Sequence, residues 1–353
     1  MKKKICYMIF LLLFAFTLQG QSLYGGIEIG SKGVKMSVID VQNVKKGIYE
    51  VKEFWTENTG IVAGISINGN LFEKDIDSTS QVVLKNYKKL LVDYKVPNDN
   101  IFIVASSGVG MAKNTDVLVN KIKVLTNKDL DVISASLEVK LLLKGCIPPK
   151  SYKNSILLDI GGGNTKGGYV DVVNGGNIFF PFSLDIGTVT LTEKIIRKNK
   201  IKPLYDFNEI SFDYLTTLRN DFAAMYAMRP ESMKKDNIYL SGGAAWALYT
   251  IFNGKAAENN LNEIKYEDVL YTKFVIENNF GKVVNAAITN KDVQKVLETY
   301  SPKNLVSAGN LLVIALEDIP DIKNKKIFFA KQGQIAWLVS YIVDNSKGVK
   351  PVY

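Results

Sequence analysis

Histidine is absent from the 353 residues of the chain, and cysteine occurs only twice. The missing imidazoles exclude histidine as a catalytic base and as a metal ligand, so proton transfer has to use other side chains. Cys6 lies in an N-terminal segment that we expect to be removed. The remaining thiol, Cys146, then has no internal disulfide partner, and we expect it to be buried.

Long apolar runs are also scarce, and the main candidate covers residues 5–18. It follows three lysines and precedes small or polar residues up to Ser22, which is the pattern of a secretory signal peptide over residues 1–22. We expect cleavage near Ser22 and an exported protein, periplasmic or secreted. An uncleaved anchor is the alternative, but the run is shorter than the roughly 20 residues that a spanning helix needs. No later segment is apolar enough to span a membrane.

Composition and charge indicate a globular protein with a basic surface. Hydrophobic residues make up 47% of the chain and charged residues 22%, and the length suffices for two domains. The formal charge of +9 comes from lysines that are scattered along the chain. Such a surface attracts anions in general, although it is also common on faces that bind nothing. We expect no nucleic-acid partner.

Three consecutive glycines follow an apolar run that ends at Asp159 and Ile160. The pattern predicts a strand, a tight loop over residues 161–164 and a second strand from Thr165. Successive glycines can expose their amides as a concave anion site, and a carboxylate at the strand end can hold a metal or a water. A plain hairpin turn is the alternative for a triple glycine that stands alone.

The same order occurs earlier in the chain, over residues 27–40, with Glu28 at the position of Asp159 and Gly30 at the position of Gly161. A unit repeated over a hundred residues apart predicts two similar domains that face each other, each with a glycine loop. Strands and helices alternate elsewhere, so the predicted fold class is α/β, with mixed sheets flanked by helices. We place the domains at residues 23–141 and 142–353.

Two further stretches predict helices that begin near the cleft. Ser134 is suited to cap a helix from Ala135 to Lys144, with Gly145 as its stop. Residues 237–245 read as a strand, a double glycine and a helix, and such a helix N-terminus suits an anion or a nucleotide.

Taken together, these stretches resemble the actin-like ATPase superfamily and, within it, the Ppx/GppA phosphatases (exopolyphosphatases and guanosine pentaphosphate phosphohydrolases). The resemblance runs from about Tyr24 to Val343. Its carriers occur in family order at residues 27–31, 105–114, 159–165, 183–193 and 241–243. The fourth, Ser-Leu-x-Ile-Gly-x-Val-x-Leu-Thr-Glu, discriminates best, because sugar kinases and chaperone ATPases lack it.

The resemblance implies two duplicated actin-like (ribonuclease H-like) domains, an active cleft between them and hydrolysis of terminal phosphoanhydride bonds. It implies Glu138 as the general base, where a carboxylate facing phosphate can take a proton from water. The alternative is that Glu138 only offsets the dipole of its helix. Glu28 and Asp159 are the implied ligands of Mg²⁺. The implied phosphate-binding residues are Gly30, Ser31, Lys32, Ser107, Gly108, Gly161, Gly162, Gly163, Asn164, Thr165, Lys166, Gly242 and Gly243.

The chain departs from the family pattern at several of these positions. Glu28 replaces an aspartate, Lys32 an asparagine, Gly110 an arginine, and Lys166 the glutamate that usually closes the triple-glycine motif. In one account Lys32 and Lys166 bind phosphate directly and partly replace arginine and Mg²⁺. In the other, turnover has been lost.

Three functions follow from these accounts. The first is an exported phosphatase acting on inorganic polyphosphate or a related phosphate compound. The second is a catalytically silent protein of the same fold that binds polyanions. The third is an actin-like nucleotide-dependent kinase or activator, against which the expected export argues. A homodimer is common in the resembling family.

Overall fold

The computed structural model describes residues 22–43, 48–173, 176–199 and 204–346. The expected signal peptide lies outside these residues except for Ser22. Within the described ranges, no helix combines the length and the apolar character that crossing a bilayer requires. Cys146 is a free, buried thiol, as predicted.

The first sheet has five strands in the order β3-β2-β1-β4-β5. The strands are β1 (Ser22–Ile29), β2 (Gly33–Asn43), β3 (Ile48–Asn58), β4 (Ile101–Ala105) and β5 (Leu130–Val132). The first three strands form an antiparallel meander, and β4 and β5 extend the sheet in parallel beside β1. The carboxyl ends of β1 and β4 therefore lie side by side, which brings the first glycine loop next to the residues that follow β4.

The second sheet repeats this arrangement with one strand more. Its strands are β6 (Ser155–Ile160), β7 (Thr165–Val173), β8 (Gly176–Leu184), β9 (Asn237–Ser241), β10 (Leu261–Ile264) and β11 (Lys326–Ala330), in the order β10-β11-β9-β6-β7-β8. Strands β8-β7-β6-β9-β11 correspond to β3-β2-β1-β4-β5, and β10 adds an antiparallel edge strand. The predicted duplication is confirmed.

Helices cover the faces of both sheets. They are α1 (Ile65–Asn68), α2 (Glu73–Val92), α3 (Ser107–Gly110), α4 (Thr115–Thr126), α5 (Ala135–Cys146), α6 (Thr188–Asn199), α7 (Leu204–Asp213), α8 (Leu215–Ala227), α9 (Gly242–Asn253), α10 (Tyr266–Asn278), α11 (Phe280–Thr289), α12 (Lys291–Thr299), α13 (Pro302–Glu317) and α14 (Ala336–Asn345). The longest apolar helix, α13, is buried along nearly its whole length within the core of the second sheet.

Helices α5 and α14 lie between the two sheets. α5 packs against β7 and β8, and α14 packs against α5 and β1. Their apolar residues join side chains of both sheets, such as Tyr24 and Leu157, in one buried cluster. The proposed domain boundary at residues 141 and 142 falls within α5, so this helix connects the two halves.

The start of α5 matches the prediction and its end does not. Ser134 Oγ accepts a hydrogen bond from Leu137 N (3.2 Å), as expected of an N-cap. The helix continues through Gly145 to Cys146. A Cβ at Gly145 would lie 2.6 Å from the Cβ of Ala336, so this glycine serves the close approach of α14 to α5 rather than a helix stop.

Candidate active site

Each half of the molecule presents a glycine loop with the same four-residue turn. Gly30 N donates to Gly33 O (2.9 Å) in the loop between β1 and β2. Gly161 N donates to Asn164 O (3.0 Å) in the loop between β6 and β7. The hairpin alternative thus describes the local geometry of both loops, and in each the first glycine amide is used inside the turn.

The second glycine loop packs directly against the first half. None of its three glycines has a positive φ, so the turn itself does not require glycine. A Cβ at Gly162 would lie 2.8 Å from the Cβ of Ser31, and one at Gly163 would lie 3.0 Å from the Cα of Gly108. These two glycines are needed because the backbones of the two halves approach so closely.

The carbonyl groups of the second loop satisfy the start of α6. Thr188 N donates to Gly161 O and Val189 N to Gly162 O, both at 2.9 Å. These amides are among the first of a helix, which lack partners within the helix and are the groups that would otherwise bind an anion. The discriminating stretch at residues 183–193 therefore holds the glycine loop in place.

A cavity of about 290 Å³ opens above the two loops, between the halves. Most of the predicted site residues line it: Glu28, Gly30, Ser31, Lys32, Glu138, Asp159, Gly161, Asn164, Lys166, Gly242 and Gly243. Four of the other predicted residues contact residues of this lining: Ser107, Gly108, Gly162 and Gly163. Thr165 lies between Asn164 and Lys166 in the chain, and its hydroxyl donates to Ile186 O. The sequence-predicted set is thus brought together at one place.

Glu138 lies in the first turn of α5 and is only 3% exposed. Its Oε2 atom accepts hydrogen bonds from Ser107 N (2.9 Å) and Ser107 Oγ (2.7 Å). Ser107 stands at the start of α3, shortly after β4, so the first sheet holds this carboxylate in one orientation.

The ammonium of Lys166 is surrounded by acceptors. Its Nζ lies 2.7 Å from Asp159 Oδ2, 3.1 Å from Glu138 Oε1 and 3.3 Å from Asn164 Oδ1. An ammonium has three N–H groups, so each has an acceptor within the protein. The amide of Asn164 in turn donates from Nδ2 to Ser107 Oγ (2.9 Å). Ser107, Glu138, Lys166 and Asn164 thus form a closed ring that joins the first sheet, α5 and the second sheet.

Electrostatics keep Lys166 charged in this ring. Burial opposes the charge, but the carboxylates of Asp159 and Glu138 outweigh it and hold the pKa of Lys166 above its ordinary value. Lys166 is 3% exposed, and its three N–H groups point at protein atoms. In this conformation its single positive charge faces two carboxylates, and direct binding of phosphate by Lys166 would require it to give up one of these contacts.

Glu28 has the equivalent partner in the first half. Its Oε1 accepts from Lys35 Nζ (2.9 Å), and its Oε2 is buried without a hydrogen-bond partner among the described residues. Burial raises the pKa of Glu28, and Lys35 partly opposes this. The register pairs Glu28 with Lys35 across the first hairpin, as it pairs Asp159 with Lys166 across the second. Counting outward from each loop would have found Lys35, which our sequence analysis missed.

The predicted metal ligands do not fit a Mg²⁺ ion. Mg²⁺ prefers several oxygen ligands in octahedral geometry. Asp159 already holds the ammonium of Lys166, and Glu28 holds that of Lys35. Over the part of the chain that the structure describes, no group of three or more histidine, cysteine, aspartate or glutamate residues could hold a metal ion.

The far side of the cavity is formed by residues that carry no motif. Lys32 Nζ donates to Asn304 Oδ1 (2.9 Å) and lies 5.6 Å from the centre of the Tyr300 ring. Burial lowers the pKa of Lys32, and Glu193 opposes this. Tyr300 also packs against the start of α9, where a Cβ at Gly243 would lie 1.8 Å from its hydroxyl. No spacing in the sequence links Tyr300 or Asn304 to the glycine loops, so sequence reasoning could not find them.

Part of the chain matches a known protein family. The model of the Ppx/GppA phosphatase family matches residues 43–214, which include Ser107, Glu138, Asp159 and Lys166 but not the first glycine loop. The bifunctional 3-dehydroquinate synthase/phosphatase of Fusobacterium nucleatum is 30% identical over 192 residues, which cover 53% of this chain and 28% of that protein. The guanosine-5'-triphosphate,3'-diphosphate pyrophosphatase of Pseudoalteromonas atlantica is 26% identical over 175 residues, covering 49% and 33%. The chain thus spans about a third or less of the length of these relatives.

The fold is also known from solved structures. The crystal structure of the Aquifex aeolicus member of the Ppx/GppA family superposes with a TM-score of 0.63 at 20% identity, covering 92% of this chain and 98% of that one. The prediction of two duplicated actin-like domains with mixed sheets and flanking helices is confirmed.

Proposed function

The chain is related to the Ppx/GppA phosphatase family, and from this premise we propose that it hydrolyses terminal phosphoanhydride bonds of inorganic polyphosphate or of a related phosphate compound. The observation that carries the proposal is the position of the Glu138 side chain. Its carboxylate lines the cavity between the halves and is fixed by two donors of Ser107. A preset carboxylate at a phosphate cleft is suited to activate water.

In the proposed reaction a water molecule in the cavity attacks the terminal phosphorus, and Glu138 accepts its proton. The bond from that phosphorus to the bridging oxygen breaks, and the shortened chain leaves with the electron pair. Phosphoryl transfer depends mainly on positioning and on compensation of negative charge. The lysines that line the cavity can supply that charge: Lys32, Lys35, Lys295 and Lys331, in addition to Lys166.

A second candidate is a protein of this fold that binds polyanions without turnover. The contact between Lys166 and Glu138 favours it, because the carboxylate is engaged by the ammonium on one oxygen and by Ser107 on the other. Glu138 can accept a proton from water in two ways: one of these partners leaves, or the proton goes to the one carboxylate lone pair that they do not use. Both candidates predict binding of polyphosphate, and they differ in phosphate release.

We also propose that the protein acts outside the cytoplasm, periplasmic or secreted, because residues 1–22 have the pattern of a signal peptide. N-terminal sequencing of the protein from the exported fraction of producing cells tests this, and a chain that still begins at Met1 there contradicts cleavage. Homodimer formation is a further proposal. Light scattering of the purified protein tests it.

The deciding experiment measures phosphate release from long-chain polyphosphate by the wild type, Glu138→Gln and Glu53→Gln. We expect wild-type turnover and a loss of about 10²–10⁴-fold in Glu138→Gln, the usual contribution of a general base. Glu53 is an exposed carboxylate of β3, so Glu53→Gln should match the wild type. Equal turnover in wild type and Glu138→Gln would refute the mechanism. Binding of polyphosphate without release by the wild type would establish the second candidate.

A further inference from the structure

Each of the two carboxylates at the glycine loops has a lysine of its own. Asp159 faces Lys166, and Glu28 faces Lys35, at equivalent positions of the duplicated hairpins. We propose that the ammonium of Lys166 is a built-in cation that takes the place of a divalent metal, so that the site needs none. The part of this inference that concerns turnover rests on the proposed function. The part that concerns metal binding can be tested without a substrate.

The oxygen atoms around Lys166 are of the kind that a divalent cation would use. One oxygen each from Asp159, Glu138 and Asn164 lies within 2.7–3.3 Å of its Nζ atom. Carboxylate and amide oxygens are the preferred ligands of Mg²⁺ and Ca²⁺. The three oxygen atoms belong to β6, α5 and the second glycine loop. They surround the Nζ atom of Lys166, which is part of the protein itself.

Electrostatic repulsion argues in the same direction. Asp159 and Glu138 contribute two negative charges and Lys166 contributes one positive charge at a site where all three side chains are at most 7% exposed. A divalent ion on these carboxylates would lie beside the ammonium, and two like charges repel strongly where water is excluded. The ammonium and a metal therefore exclude each other at this site.

The first hairpin does not supply an alternative site. Among the residues that the structure describes, Glu28 Oε2 has no hydrogen-bond partner, and the other oxygen of Glu28 is paired with Lys35. One free carboxylate oxygen beside an ammonium is a poor ligand set for an ion that requires several oxygens.

The test compares Mn²⁺ binding, by electron paramagnetic resonance without substrate, in the wild type and in Lys166→Glu. Lys166→Glu removes the cation and adds a third carboxylate, so we expect one bound Mn²⁺ with an affinity at least tenfold above that of the wild type. Its thermal midpoint should rise with Mn²⁺ or Mg²⁺. The control is Lys234→Glu, which makes the same charge change beside Glu231 at an exposed position and should bind Mn²⁺ like the wild type.

Lys166→Gln covers the case in which Lys166→Glu does not fold. It frees Asp159 and Glu138 without adding a charge, so it should also bind Mn²⁺ at least tenfold more tightly than the wild type. The inference is overturned if the wild type binds one Mn²⁺ as tightly as these variants, and if that binding is lost in Asp159→Asn.

Phosphate release separates this inference from the proposed function. If the wild type binds no Mn²⁺ and also releases no phosphate, the hydrolase fails and the built-in cation stands. If the wild type binds Mn²⁺ and a chelator abolishes its phosphate release, the built-in cation fails and the hydrolase stands.

Discussion

Glu28 and Lys35 face each other across the first glycine loop, yet the second oxygen of the Glu28 carboxylate is buried and has no hydrogen-bond partner in the described part of the chain. The equivalent pair in the second half, Asp159 and Lys166, is tied into a ring with Glu138, Ser107 and Asn164. The two hairpins thus carry a carboxylate and a lysine at equivalent positions, but the contacts around the two pairs differ. We therefore expect the two pairs to respond differently to substitution and to pH.

Glu28 should make stability depend on pH in a defined direction. Burial raises its folded-state pKa above the ordinary value of 4.5. Between these two values the folded protein binds more protons than the unfolded chain, so this group's contribution to stability falls as the pH rises. We expect the free energy of unfolding of the wild type, relative to Glu28→Gln, to decrease as the pH rises above this ordinary value. Urea unfolding across this range measures it.

Glu53→Gln is the control for this pH series, because Glu53 is exposed and its substitution should give a difference that does not vary with pH. An increase of the wild type's relative stability with pH would contradict the prediction. It would mean that the ion pair with Lys35 outweighs the burial of Glu28.

Ser107→Ala should lower the free energy of unfolding by about 1–3 kcal/mol. The change removes one donor to Glu138 and leaves the buried Nδ2 of Asn164 without its acceptor. Urea unfolding measures the effect. Ser78→Ala is the control, since the exposed Ser78 hydroxyl bonds only to the carbonyl of Asp75 and should matter by less than about 0.5 kcal/mol. Equal, small effects at both positions would show that the ring adds no stability.

Gly243→Ala should be destabilising by about 1–3 kcal/mol, because the new Cβ would overlap the hydroxyl of Tyr300. In a Tyr300→Phe background the overlap is reduced, so the penalty should become smaller. Thermal or urea unfolding of the four proteins of this double-mutant cycle measures the coupling. Gly281→Ala serves as the control, because a Cβ at this helical position would meet no heavy atom of the described residues within 4 Å, apart from its chain neighbours and the backbone of its own helix. Additive effects of the two substitutions would contradict the contact.

Lys32→Ala should weaken polyphosphate binding by about tenfold, since a charge-assisted contact to a phosphate contributes on the order of 1.5 kcal/mol. Lys32 lines the cavity, and its pKa is lowered by burial. As the pH rises, Lys32 should therefore lose its proton at a lower pH than an exposed lysine would, and the wild type should then lose affinity for polyphosphate. Lys32→Ala should not show this loss. Isothermal titration at several pH values measures both effects. Lys88→Ala, on the exposed face of α2, should bind like the wild type.

Much of the fold could be predicted from the sequence. Glu28 and Asp159 are each the second-last residue of a strand that is followed by a glycine loop and a second strand. These are local signals, and they are specific enough to predict the duplication. The helix that carries Glu138 was also predictable, because a serine cap directly precedes it. The end of that helix was not, since Gly145 is required by the approach of Ala336 from the far end of the chain.

The candidate site was predictable only as a set of residues, not as a network. Motif order brings Ser107, Glu138 and Lys166 to one cleft. It does not say that all three N–H groups of Lys166 find acceptors inside the protein, because this depends on distances between separate elements. Tyr300 shows the same limit, since it reaches Gly243 only through packing that no local pattern records.

The position of α14 has a consequence for how the chain acquires its structure. This last helix packs on β1, the first strand, and Ile342 lies so close to Gly26 that a Cβ there would come within 2.5 Å of it. During synthesis the inner face of the first half therefore stays uncovered until residues 336–345 have been made. A chain truncated before residue 336 would keep both glycine loops but expose the apolar surface of β1, and such nascent chains are natural clients for chaperones.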